Sequence, residues 1–496
     1  MRSERFILSL IRNKINKLSK SNVNLHLIDL ARGLTNMQLD RSIFKAYDIR
    51  GIVGKTLTED VVHCVGMVLG AMAKEQGIAS ICVGRDGRLS GPTLSRALML
   101  GIAKAGVDVK DIGMVPTPVL YFATKYLGNG SGVAVTGSHN PADYNGLKMM
   151  MGGLTLFGDQ IQDIYERIAQ GGLQEADKPG TIEQVDVLNA YVEAVTGDVK
   201  LARPMKIAVD CGNGVAGPTA RAIFERLGCD ITELYMDVDG NFPNHHPDPS
   251  KPSNLTDLIR VVKESDVEIG LAFDGDGDRL GVVTKSGSII YPDRQMMLFA
   301  ADILASHPGS QIIYDVKCTR RLVPWIKQHG GVPTISCTGH SLVKAKLRET
   351  GAPFAGEMSG HLFFNDGRWP GFDDGIYAGA RLLEIVSREA SPTAVLDALP
   401  SAVNTPELQI KMQEGENKVF VEKLQQAARF DDAEDVILID GVRVEFADGF
   451  ALARSSNTTP VVVVRIEGDT PEAMQRIQER FGAFLKQVDP NVDLPF

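Results

Sequence analysis

A unit of strand, loop, helix, glycine and strand recurs three times along this chain. It first appears where an apolar stretch at 79–83 runs into Gly84-Arg85-Asp86-Gly87, a helical pattern follows, and Ala105-Gly106 leads into a second apolar stretch at 107–109. The order returns at 206–210 with Cys211-Gly212-Asn213-Gly214, a helix expected at 220–227, and Gly228 before 229–234. It comes a third time at 311–316, a helix expected at 320–328, and Gly330-Gly331 before 332–336. A helix that crosses back over a strand and delivers the next strand beside it makes a parallel pair. Three such units therefore predict an α/β chain of three related βαβ-type domains with mixed, mostly parallel sheets.

The end of the chain departs from this rhythm. After Pro406 the pattern predicts a strand at 407–412, a helix at 417–430, short strands at 436–439, 442–446, 450–453 and 461–466, and a last helix at 471–486 with Thr470 as its cap. Strands close enough to join as hairpins, flanked by helices, indicate a separate α+β domain. The expected divisions are 1–40, 41–195, 196–300, 301–400 and 401–496, and 496 residues suffice for several cores. The first stretch stands apart, with seven Lys or Arg against three acidic residues and Phe6, Ile7, Leu8, Leu10, Ile11, Ile15 and Leu18 roughly at helical spacing. It reads as an extension, disordered or a weak amphipathic helix, outside the catalytic body. No apolar run approaches the roughly 20 residues of a bilayer span, so no stable membrane partner is expected. The formal charge of −10 gives no reason to expect nucleic acid. Six cysteines without a CxxC pair read as thiols of a reducing compartment, which points to the cytoplasm.

Two segments carry the chemistry. In Phe273-Asp274-Gly275-Asp276-Gly277-Asp278-Arg279, three carboxylates at alternate positions follow the apolar run 269–273, and glycines between them let the loop curl around one hard cation. The pattern is not an EF-hand, because the twelfth loop position carries no glutamate. A turn rich in Asp and Gly is the plain alternative. In Thr136-Gly137-Ser138-His139-Asn140-Pro141, an apolar strand at 132–135 ends in a serine with polar neighbours. A serine needs a base or a metal to become a nucleophile, and the hydrolase elbow GxSxG is absent here.

From 43 to 470 the chain is similar to the α-D-phosphohexomutase superfamily, and it most resembles the bacterial phosphomannomutase/phosphoglucomutase branch. The resemblance implies that Ser138 is phosphorylated and that Asp274, Asp276 and Asp278 bind Mg²⁺, with the Ser138 phosphoryl group as a further ligand. Lys45-Ala46-Tyr47-Asp48-Ile49-Arg50-Gly51 resembles the segment that places Tyr47 and Arg50 at the catalytic centre, and Tyr144 to Lys148 resembles the stretch whose lysine lies beside the phosphoserine. Arg50, Lys148 and Arg279 are the cations that a transferring phosphoryl group requires. Gly356-Glu357-Met358-Ser359-Gly360-His361 resembles the sugar-binding loop, with Glu357, Ser359 and His361 as contacts. Thr338-Gly339-His340 and Lys317 match further ligand contacts. In Arg454-Ser455-Ser456-Asn457-Thr458-Thr459-Pro460, an arginine, hydroxyls and loop amides suit a dianionic phosphate, and the resemblance implies that Arg454, Ser456, Asn457 and Thr458 hold the phosphate that is not reacting.

The resemblance thus implies four domains around a central cleft and an isomerase that interconverts hexose 1- and 6-phosphates through hexose 1,6-bisphosphate. Glucose 1,6-bisphosphate is the expected activator or intermediate, and small phosphosugars are the expected partners of a monomer, with a dimer as the alternative. Lys148, His139 and His340 are the candidates for proton transfer. Phosphoglucosamine mutase is the alternative activity; Met358 favours the mannose/glucose branch, because the glucosamine branch usually carries Gln there.

Overall fold

The computed structural model describes residues 39–413, 415–457 and 459–496, so the expectations for 1–38 and for Thr458 lie outside the described residues. Four sheets follow one another along the chain. In the first, Gly132–Val135, Ser80–Arg85, Asp108–Met114 and Ile182–Gln184 run parallel. The second holds Ile269–Phe273, Lys206–Asp210 and Asp230–Leu234 in parallel, and the third holds Phe354–Gly356, Gln311–Asp315 and Val332–Ser336. The three βαβ units expected from the sequence are therefore present.

Each parallel set gains an antiparallel neighbour that the sequence pattern did not show. Gly132–Val135 pairs with Tyr144–Met151, Ile269–Phe273 with Leu280–Thr284, and Phe354–Gly356 with Leu362–Phe364. The loops that join these pairs are the serine loop, the aspartate loop and the Glu357 loop. In the first sheet, Ile49–Ile52 extends the edge by pairing antiparallel with Tyr144–Met151 and so brings Arg50 alongside. Equivalent positions of the three repeats thus deliver three loops with candidate site residues at the carboxyl ends of parallel strands, where open α/β sheets bind ligands.

The last sheet is antiparallel. Gly449–Ser455 pairs with Val442–Phe446 and with Val461–Gly468, and the second of these hairpins carries the Arg454 loop. Thr470 caps the helix Pro471–Val488 as expected, its side chain accepting from the Ala473 amide at 3.2 Å. This unit keeps its own core, built around Phe420, Leu424, Val464, Phe481 and Leu485. By contrast, a single apolar cluster runs from Val119 and Tyr121 through Phe224 and Phe273 to Phe299 and Phe364, so the first three units share a core.

Two expected divisions do not coincide with element ends. The cut at 195/196 falls inside the helix Leu188–Asp198 and the cut at 300/301 inside Pro292–Ser306. An apolar helix between two units does not declare which core it joins; Pro292–Ser306 packs against the third unit's Leu322–Gln328 and Phe354–Gly356. The fourth unit meets the third through a small apolar contact of Val316 with Phe450 and Leu452, and through Arg443, which donates to the carbonyls of Val316 at 2.6 Å and Cys318 at 2.7 Å. None of the six cysteines forms a disulfide, and among the described residues no helix is long and apolar enough to cross a membrane.

Close packing in the first unit depends on glycine. The helices Glu59–Glu75 and Gly91–Lys104 approach so closely that a Cβ at Gly101 would lie 2.2 Å from the His63 carbonyl oxygen, and one at Gly66 would lie 2.3 Å from that of Leu98. Both obstacles are helical backbone and cannot rotate away. Gly101→Ala should therefore force the helices apart and cost about 1–3 kcal/mol, the usual range for overpacking. Urea unfolding of the parent and the variant measures this; equal midpoints would show that the pair accommodates the methyl group.

Candidate active site

Ser138 lies in the hairpin loop behind Gly132–Val135, is 1 % exposed, and adopts the left-handed conformation at φ 48°. A residue with a Cβ takes that conformation only when its surroundings impose it. Its amide donates to Thr136 Oγ1 at 2.8 Å, and its hydroxyl donates to Asp274 Oδ2 at 3.0 Å, with His139 Nδ1 at 3.1 Å. Gly275 makes the approach of the two loops possible, since a Cβ there would stand 2.3 Å from the Ser138 carbonyl oxygen. Gly277, at φ 76°, turns the aspartate loop back on itself.

Asp274, Asp276 and Asp278 are each 0 % exposed, and one oxygen of each lies within 4.8 Å of the others. Lys148, on Tyr144–Met151, donates to Asp276 Oδ2 at 2.7 Å and to Asp278 Oδ2. The Thr117 hydroxyl also donates to Asp276 Oδ2, at 2.7 Å, and the amides of Asp278 and Arg279 donate to Asp274 Oδ1 at 3.1 and 3.2 Å. Burial opposes the charge on Lys148, yet the neighbouring Asp276 and Asp278 outweigh it and hold the amine protonated well beyond its usual range. Burial also works against the Asp276 charge, but Lys148 keeps that carboxyl ionised, below the ordinary range. Asp274 is pushed up by burial and by its two acidic neighbours. Asp276 Oδ1 and Asp278 Oδ1 are buried without a hydrogen-bond partner. Orphaned carboxylate oxygens in an all-oxygen cluster fit a hard divalent cation.

Other cations gather around this centre. Arg50 donates to Asn140 Oδ1 and, at 2.5 Å, to Asp48 Oδ2. Arg279 Nε lies 3.8 Å from Asp274 Oδ2 and donates to His361 Nε2 at 3.1 Å. His139 is partly exposed, and desolvation together with Arg279, Arg50 and Lys148 presses its imidazole well below its usual range, so it is neutral at pH 7.

A second set of residues comes from the third and fourth units. Glu357 Oε1 accepts from the Gly339 amide at 2.5 Å, while its Oε2 is buried and unpartnered; burial raises this carboxyl above the ordinary range. His340 stacks on His361 at 5.5 Å and is held neutral by burial and by Lys344. Ser359 is half-buried in the turn closed by the Gly360 amide and the Glu357 carbonyl at 3.0 Å. Lys317 donates to Glu407 Oε2 at 3.3 Å, and Arg454 donates through Nε to Asp440 Oδ2 at 2.9 Å, leaving its Nη2 buried and unpartnered. Ser456 Oγ lies 3.0 Å from Thr459 Oγ1. Tyr47 joins the two sets: its hydroxyl donates to the Thr338 carbonyl at 2.6 Å and accepts from the Asn457 amide. Hydrogen bonds thus connect the two sets, from Arg279 to His361 and from Tyr47 to Thr338 and Asn457.

Consecutive stretches of the chain match the phosphoglucomutase/phosphomannomutase family: alpha/beta/alpha domain I at 41–175, domain II at 189–287, domain III at 291–403 and the C-terminal domain at 407–483. The chain belongs to the phosphoglucomutase/phosphomannomutase family. It is similar to a phosphoglucomutase of Neisseria gonorrhoeae, 56 % identical over 449 residues that cover 90 % of this chain and 97 % of that one. A phosphomannomutase/phosphoglucomutase of Pseudomonas aeruginosa is 52 % identical over 459 residues, covering 92 % and 98 %. A crystal structure of a phosphoglucomutase/phosphomannomutase family protein from Burkholderia thailandensis superposes with a TM-score of 0.88 at 57 % identity, covering 92 % of this chain and all of that one.

Reasoning from the sequence missed several buried acids that lie beside these candidates. Asp86 accepts from the Thr136 hydroxyl at 2.8 Å, Asp315 from Thr338 Oγ1 at 2.8 Å, and Asp373 from Lys344 at 2.8 Å with His361 Nδ1 3.1 Å away. Asp86 and Asp315 share a legible signal, for each stands at the end of the first strand of its repeat. Asp373 and Asp440 carry none. Because the acid trio is matched to a cation, Asp276→Asn should weaken Mg²⁺ binding by at least about 10-fold in calorimetric titration, as expected when a hard cation loses an anionic ligand. Unchanged affinity would remove Asp276 from the metal site.

Proposed function

We propose that this chain is a phosphomannomutase/phosphoglucomutase in which Ser138 carries the phosphoryl group between the C1 and C6 oxygens of mannose and glucose phosphates. The observation that carries this reading is the Ser138 hydroxyl, buried in a left-handed turn and 3.0 Å from Asp274 of the acid trio. Asp274, Asp276 and Asp278 would hold Mg²⁺, which when bound supplies positive charge to the transferring phosphoryl oxygens.

The protein's own groups account for the remainder. In the first transfer the bond from phosphorus to Ser138 Oγ breaks, a bond to the free sugar hydroxyl forms, and that hydroxyl gives up its proton. The hexose 1,6-bisphosphate then turns around, Ser138 Oγ attacks the other phosphorus, and the bond from that phosphorus to the sugar oxygen breaks as this oxygen takes the proton back. Arg50, Lys148 and Arg279 stabilise the charge that spreads over the equatorial oxygens. Lys148, bound to two carboxylates, serves as a fixed cation, whereas the neutral imidazoles of His139 and His340 are in the right state to accept the proton. Glu357, Ser359, His361, Gly339 and Lys317 read the ring, and Tyr47, Arg454, Ser456, Asn457 and Thr458 hold the distal phosphate. We assign the working protein as a cytoplasmic monomer, with glucose 1,6-bisphosphate as its activator.

Measurements on Ser138, on total sugar phosphate and on Arg454 test this reading. The isolated protein should carry phosphate on Ser138 in peptide maps, and Ser138→Ala should lose at least about 100-fold in turnover with its fold intact. Total sugar phosphate should stay constant during turnover of mannose and glucose 1-phosphates, and its loss would indicate a phosphatase instead. Arg454→Ala should raise KM for glucose 1-phosphate with a smaller fall in kcat, a loss of about 2–4 kcal/mol for a desolvated charge-assisted contact. It should also depend more on added glucose 1,6-bisphosphate, because a loosened intermediate escapes before it reorients. Parental values of both would place Arg454 outside the cleft.

A further inference from the structure

The side chain that meets the Ser138 loop most completely lies outside every motif that suggested function. Arg88 follows Gly87 in the loop after Ser80–Arg85 and is 1 % exposed. A guanidinium has five N–H groups, and here all five are used. Nε donates to Asp86 Oδ2 at 3.2 Å; Nη1 donates to the carbonyls of Pro141 and, at 2.9 Å, Tyr144; Nη2 donates to those of Ser138 at 2.8 Å and Asn140 at 2.6 Å. Four carbonyls of one short loop thus converge on one planar cation.

The surroundings are built to keep it there. Asp86 Oδ1 accepts from the Arg88 amide at 3.0 Å, while Oδ2 accepts from the Gly137 amide at 3.0 Å and the Thr136 hydroxyl at 2.8 Å, tying both ends of the contact to one carboxylate. Gly137 leaves room for the guanidinium, since a Cβ there would lie 2.3 Å from Arg88 Nε. From the second unit, the Phe242 ring covers the guanidinium, with its centroid 5.1 Å from Cζ. A surface arginine needs none of these arrangements.

We propose that Arg88 is a positioning residue for phosphoryl transfer: by holding the carbonyls of Ser138, Asn140, Pro141 and Tyr144, it imposes the left-handed turn that aims Ser138 Oγ at the metal-binding acids. This inference rests on the reading of Ser138 as the phosphoryl carrier. Arg88 has its five donors committed to the loop and to Asp86, so it acts through Ser138 and not on the sugar. Lysine cannot replace it, because three N–H groups on one nitrogen cannot span acceptors spread along the loop. Loss of Arg88 frees Ser138 to relax, and displacement of a reacting atom by about 1 Å costs on the order of 100-fold in rate.

The test uses the full chain. Arg88→Lys is expected to lower kcat about 100-fold while leaving KM for glucose 1-phosphate and the calorimetric affinity for Mg²⁺ near parental values, since neither ligand touches Arg88. Single-turnover loading of Ser138 from glucose 1,6-bisphosphate, followed by intact mass, should slow by the same factor. Arg88→Ala should regain a substantial part of its rate with added ethylguanidinium and none with tetramethylammonium, a rescue that general destabilisation would not give. If the Arg88 variants do not fold, Gly137→Ala, which retains Arg88 but drives a methyl group against it, should show the same loss confined to kcat. Parental kcat in a folded variant, or a kcat loss matched by an equal loss of Mg²⁺ affinity, would overturn the proposal. Absence of phosphate from Ser138 in the parent would instead remove the reading on which it rests.

Discussion

Three aspartates with no solvent exposure, close enough to share one ion, impose the strongest condition on this molecule. Removing each charge from water costs several kcal/mol even after relaxation, and mutual repulsion adds to it. Lys148 supplies the only direct side-chain ammonium contact to Asp276 and Asp278 among the described residues. That contact dictates architecture. Tyr144–Met151 must lie between Gly132–Val135 and Ile49–Ile52 in the first sheet, and the aspartate loop of the second unit must reach across to meet it. A core common to the first three units makes this placement rigid, because close-packed apolar side chains resist sliding.

The chain has a formal charge of −10, yet Arg50, Lys148, Arg279, Lys317 and Arg454 all border the site. Each is paired with an acid, respectively Asp48, Asp276 with Asp278, Asp274, Glu407 and Asp440. Such pairs keep long side chains from wandering, so donors are oriented before an anionic ligand arrives. Preorganised charge of this kind stabilises a transition state without a reorganisation cost at the moment of reaction.

The fourth unit is joined differently from the others. It has a separate core, meets the third unit through a small apolar patch and buried arginine contacts, and meets the first through the Tyr47 to Asn457 hydrogen bond. Its Arg454 remains tied to the site through Asp440, which also accepts from the Thr338 amide at 2.8 Å. One carboxylate therefore links the Arg454 hairpin to the Thr338 loop.

What the sequence by itself determined was local: apolar strands, the glycines that follow them, the cap at Thr470 and the loops around Ser138 and Asp276. Neighbouring residues encode these features through backbone sterics and short-range hydrogen bonds, so spacing alone reveals them. Only the tertiary structure decided which charge answers which. Lys148 meets Asp276 from 128 positions away, and Asn457 meets Tyr47 from 410. The antiparallel partner of each parallel set was hidden for the same reason, since the buried run 280–284 shows no alternation and takes its direction from the hairpin. Arg88 is the clearest case. In sequence it is one more arginine beside a glycine, and four of its five partners exist only once the serine loop has folded around it.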